Sequence, residues 1–166
     1  MAKFNLDDFY DDAFHLIAIH TKAEDYTLAF ALNKHLGIQL QKRRTDLDLS
    51  QNKKDTSYPI FDFERKDTTA FYLVGNRCVI DDKNQLFPVG LFDNTRQTTL
   101  YLLPELKTVD YFLKVEPELI LNELTTTLKK LKEVPFIQTA YIVNHETLKS
   151  KSHLNFDEWI PQKELK

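Results

Sequence analysis

The chain has 166 residues, 42% of them hydrophobic and 28% charged, with a net charge of −3. That length suits one domain burying roughly 70% of its unfolded surface, and the composition excludes a disordered chain. Cys78 is the only cysteine, which excludes an internal disulfide and any multi-cysteine metal centre and suits a reducing compartment.

Residues 1–12 set Lys3 against Asp7, Asp8, Asp11 and Asp12 and so carry the whole net charge. They read as an acidic leader, followed by a single α+β domain over 13–166. A neutral domain lacks the field that draws phosphate backbones, so no nucleic-acid partner is expected. Met1–Asp8 lacks a signal-peptide pattern, and no apolar run approaches the ~20 residues that span a bilayer. A cytoplasmic location away from membranes is therefore expected.

Phe14–His20 is apolar on both alternating faces and predicts a central strand. Thr21 and Glu24 have capping-box spacing and Gly37 follows Lys34 and His35, predicting a helix over about 22–36. Its apolar arc, which includes Leu28, Leu32, Leu36, Tyr26 and Phe30, is wide enough to predict a largely buried helix. Asn33 falls inside that arc, where its amide must find hydrogen-bond partners. Residues 38–57 turn polar and suggest a short strand and an exposed loop, with Lys42-Arg43-Arg44 as a solvated run beside Asp46 and Asp48.

Tyr58–Glu64 and Thr69–Gly75 read as a hairpin, with turn chemistry at 81–84 and 87–90 and another strand at Thr98–Leu103. Pro104 ends that strand in a bend. Val109, Tyr111, Leu113 and Val115 then alternate with Asp110, Phe112 and Lys114, a strand with one fully apolar face. Pro117 suits a first helical position, and Ile120, Leu121, Leu124, Leu128 and Leu131 form the stripe of a helix lying on a sheet, with Leu119 on its polar side. Phe136–Val143 predicts a final strand apolar on both faces, and a charged tail carries Trp159 and Pro161. The order suggests a mixed, mostly antiparallel sheet with two helices, ferredoxin-like with inserted strands.

With only Gly37, Gly75 and Gly90, the chain has no phosphate-cradling glycine loop. None of Ser50, Ser57, Ser150 and Ser152 sits in a nucleophile elbow, and Cys78 reads as an apolar filler. His15 and His20 face opposite ways on their strand, and His35, His145 and His153 lie elsewhere, so no metal set forms. No cofactor is called for. Leu103-Pro104-Glu105-Leu106-Lys107-Thr108-Val109-Asp110-Tyr111 brings two carboxylates and a phenol together, a combination that can divide acid and base roles. The same residues can instead cap and bridge the bend.

That stretch resembles the signature of the IPExxxVDY family of bacterial proteins: Pro104, Glu105, Val109, Asp110 and Tyr111 match, and Leu103 replaces isoleucine at equal volume. The likeness extends through His20-Thr21, Asn33-Lys34-His35-Leu36-Gly37 and Leu148-Lys149-Ser150-Lys151. The family has no established activity, so the resemblance implies a small bacterial protein and carries no site residues. The absent catalytic motifs favour a non-enzymatic domain acting by protein–protein interaction or self-association. The alternative is a small-molecule binding domain or enzyme with a site near Glu105, Asp110 and Tyr111, with Asn33 as a further candidate for a functional surface.

Overall fold

The computed structural model describes residues 13–67, 69–81, 97–116, 119 and 121–156. The acidic leader, the turn residues 82–96, Pro117, Ile120 and the Trp159–Pro161 tail all lie outside them. The strands are β1 (His15–Thr21), β2 (Gln41–Lys42), β3 (Leu47–Gln51), β4 (Lys54–Tyr58), β5 (Ile60–Glu64), β6 (Ala70–Gly75), β7 (Arg77–Asp81), β8 (Gln97–Tyr101), β9 (Tyr111–Glu116) and β10 (Ile137–Val143). The helices are α1 (Asp25–Leu36) and α2 (Leu121–Lys132).

Six strands form one sheet in the order β10-β1-β9-β6-β5-β2, and β3–β4 and β7–β8 form two hairpins. Every described pairing is antiparallel, so the sheet is not mixed. The central strands β1, β6 and β9 carry apolar residues on both faces because both faces are covered. Ile17, Leu113, Leu73 and Phe61 stand in one row across β1, β9, β6 and β5 and pack with Leu28 and Leu32 of α1 and Leu124 and Leu131 of α2. The next row, Ala18, Phe112, Val74 and Ile60, faces the other way. It packs against Leu47 and Tyr58 of the β3–β4 hairpin, Leu102, Leu103 and Val109, and the pair Leu154 and Phe156 that follows β10. Both helices thus lie on one face, and irregular cover on the other.

Several expectations need correction. The α1 cap is Glu24, without a side-chain cap bond; the Thr21 hydroxyl instead donates to the Phe136 carbonyl and accepts from the Ala23 amide. Gly37 ends α1 as expected, at φ 65°. The helix is not largely buried, since Tyr26 and Phe30 are exposed and only Leu28, Ala29, Ala31 and Leu32 are buried. Residues 47–58 form a hairpin rather than an exposed loop. Arg43 is not simply solvated, because it bonds Asp62 at 2.6 Å and the Phe156 carbonyl at 3.3 Å. Leu119 packs against the core instead of standing on a polar side, whereas Leu121 is exposed. Among the described residues β10 is an edge strand of the sheet, and its surface is only partly covered.

Candidate functional site

The segment that ends β8 and leads into β9 is shaped by one side chain. Asn76 follows β6 and is fully buried. Its amide donates to the Leu106 and Val109 carbonyls at 2.8 Å each and accepts from the Leu103 amide at 3.0 Å. Its own backbone accepts from Leu102 and donates to the Asp110 carbonyl. Pro104 starts a one-turn 3-10 helix over Pro104–Leu106, where its fixed φ and missing N–H cost nothing. Buried Leu103 and Val109 anchor the two ends of the bend.

This bend aims Asp110 and Tyr111 at the connection between β1 and α1. One Asp110 carboxylate oxygen accepts from the Thr21 amide at 2.9 Å, and the other pairs with the Arg77 guanidinium. The Tyr111 hydroxyl donates to the Ala23 carbonyl at 2.8 Å. Burial raises the Tyr111 pKa above its ordinary value, helped by the nearby charges of Asp25 and Glu24 and opposed by Arg77. Strict alternation would separate Asp110 from Tyr111, but Asp110 lies one residue before β9 begins. The two therefore line one open cavity of about 410 Å³ with Thr21, Lys22, Asn76 and Arg77.

Glu105 is not part of that cavity. Its carboxylate points to the surface and accepts from the Ser150 hydroxyl at 2.8 Å. Asn33 is elsewhere again, giving and taking one hydrogen bond with the Leu40 backbone, at 3.2 and 2.7 Å, and so closing the turn after α1. Sequence reasoning joined Glu105 to Asp110 and missed Asn76 and Arg77, whose role follows from contacts about thirty residues distant. Among the described residues no three His, Cys, Asp or Glu side chains group to hold a metal. Four histidines each meet a separate oxygen: His15 the Leu119 carbonyl, His20 the Tyr141 hydroxyl, His145 the Phe14 carbonyl and His153 the Leu102 carbonyl.

A second unforeseen group is Lys114, only 3% exposed on the face away from the helices. Its ammonium lies 4.6 Å from the Phe14 ring centre and 5.2 Å from that of Phe156, donates to the Leu154 carbonyl at 2.9 Å, and pairs with Glu116. Aromatic faces, a carbonyl and a carboxylate replace the water that a buried ammonium loses.

A third feature is the outer edge of β10. Ile137–Val143 contains no charged residue and no proline, the features that most often keep edge strands from pairing with another chain. Phe136, Tyr141 and Ile142 are exposed along it. No helix among the described residues is long and apolar enough to cross a membrane. No protein-family model, curated protein or solved structure matches the chain.

Proposed function

We propose that this chain is a non-enzymatic cytosolic domain that works by protein–protein interaction or self-association along the outer edge of β10. The observation that carries the reading is the uncharged edge strand with Phe136, Tyr141 and Ile142 exposed beside it. Strand addition at such an edge draws affinity from main-chain hydrogen bonds and selectivity from alternate side chains. The Asp110 and Tyr111 side chains support it by exclusion, since their polar atoms are committed to Thr21, Arg77 and Ala23.

Membership of the IPExxxVDY family belongs to the same proposal, supported by Pro104, Glu105, Val109, Asp110 and Tyr111. So does a ferredoxin-like core. The elements β1-α1-β6 and β9-α2-β10 each enclose one strand of the other unit in the order β10-β1-β9-β6, which is a split βαβ pattern.

A second reading, small-molecule binding or enzyme activity, is favoured by the 410 Å³ cavity at Asp110 and Tyr111, a volume within the usual ligand range. Thermal-shift screening against small metabolites tests it, since a ligand at 100 times its Kd stabilises by about 2.7 kcal/mol.

The test of the leading reading is Ile142→Lys. The side chain is 46% exposed, so the fold tolerates the charge while the edge no longer accepts a strand. The wild type is expected to self-associate or to retain a partner that the variant loses. Identical behaviour of the two proteins in hydrodynamic and affinity-capture measurements would remove the reading.

A further inference from the structure

We infer that the occupant of the β10 edge is a second copy of this chain, its β10 running antiparallel to the first about a two-fold axis at Tyr141. This rests on the strand-edge reading above and names the partner. A strand paired antiparallel with itself is isologous, so the contact closes at two copies rather than growing into a fibre.

The residues of β10 suit that symmetry. The register irregularity lies between His20 and Thr21, opposite the start of β10, leaving Thr139–Val143 as the regular stretch. Centring on Tyr141 sets Thr139 against the other copy's Val143 and Ala140 against the other copy's Ile142. Ala140 is small and 2% exposed, whereas Ile142 is 46% exposed. A short side chain thus faces a long one on the helix side, and the two interlock. On the opposite side Tyr141, 41% exposed and stacked 5.5 Å from the His20 ring, meets its own counterpart.

The helix layer adds the area that a lone strand lacks. Leu124 and Leu131 of α2 belong to the same core as Ile137 and Ala140 of β10 and Ile17 and Ile19 of β1, and β10 is the strand that α2 meets most closely, so α2 lies on the β10 side of the sheet. In the proposed dimer, with each α2 seated over β10 and β1, strand spacing sets the two α2 helices about 10 Å apart, the ordinary distance for packed helices. Glu123, Thr127 and Lys130 of α2 face Leu36 and Phe71, so the opposite flank, with Leu121, 76% exposed, Thr125 and Lys132, is the one turned outward. Antiparallel helices set Lys132 of one copy beside Leu121 of the other, away from its own counterpart. A contact about 24 Å long and about 20 Å high covers on the order of 500 Å² per copy. The total, about 1,000 Å², reaches the floor for a specific interface and implies a weak, reversible dimer.

Sedimentation of the purified chain over a wide concentration range tests this. The mass is expected to rise from one copy to two, and Ile142→Lys to stay at one copy with its melting transition unchanged. In a Cys78→Ser background, Tyr141→Cys should oxidise to a covalent dimer, because paired strands hold the two positions within disulfide reach. Tyr26→Cys on α1, also exposed, should not. A single copy at every concentration overturns the inference, as does a dimer that survives Ile142→Lys or cross-links equally at position 26. If the chain is monomeric yet loses a different protein partner on Ile142→Lys, the second copy is wrong and the strand-edge reading stands.

Discussion

Asn76 is a short side chain with three tertiary hydrogen bonds, to the Leu103 amide and to the Leu106 and Val109 carbonyls. Asn76→Ala leaves all three backbone groups without that partner in a buried setting, at a cost of about 3 kcal/mol. The urea midpoint is expected to fall with the slope unchanged. Glu105→Ala, at a surface contact with Ser150, should move stability by no more than about 0.5 kcal/mol. The reverse order would mean that Asn76 does not shape the bend. Asn33 was legible in the sequence because it interrupts an apolar helical arc, and an amide there must be satisfied. Asn76 was not, because after a strand and beside Gly75 an asparagine reads as a turn residue. Its partners lie 27 to 33 residues downstream.

The strands around β1, β5, β6 and β9 were legible from alternation and turn residues, and Gly37 marked the end of α1. The β3–β4 hairpin was hidden for two reasons. Its strands are largely polar, with Leu47, Thr56 and Tyr58 as their buried residues, and its two-residue turn, Asn52-Lys53, has no glycine. Both turn residues have positive φ, 50° and 62°, the conformation of a type I′ turn, which prefers Asn-Gly. Lysine at the second position bears the steric penalty of a Cβ in the left-handed region. Lys53→Gly is therefore expected to raise the urea midpoint, by about 0.5–1 kcal/mol after the flexibility glycine adds to the unfolded chain. A lowered midpoint would show that the Lys53 side chain contributes more than its backbone strain costs. α1 misled for another reason. Tyr26 lies on the exposed side yet packs edge-on against Phe61, 5.4 Å between ring centres, so an aromatic in the apolar arc need not be buried.

At the scale of the whole molecule, the helix-covered face of the sheet could be anticipated from two amphipathic segments. The opposite face could not. Its cover comes from pieces too short for periodicity: the β3–β4 hairpin, the 3-10 turn at Pro104–Leu106 and the stretch through Leu154 and Phe156. That layer also buries polar groups, Lys114 on its ring of aromatics and Tyr58 with no exposed surface at all. The Tyr58 hydroxyl donates to Gln51 at 2.5 Å, and burial pushes its pKa from the ordinary 10 up to about 12. An unfolded chain therefore releases this proton near pH 10 while the folded chain keeps it until about pH 12. Stability from this group is complete below pH 10 and falls as pH rises between those two values, by about 2–3 kcal/mol in all. Tyr111, also raised, adds a loss of the same sign. Tyr58→Phe removes the titration and one hydrogen bond, so it is expected to be about 1 kcal/mol less stable at neutral pH but to lose less on going to alkaline pH. Urea midpoints of the two proteins from neutral pH to pH 12 check this. Parallel alkaline declines would mean that Tyr58 reaches water before it ionises, and that the layer over the second face opens locally before the molecule unfolds.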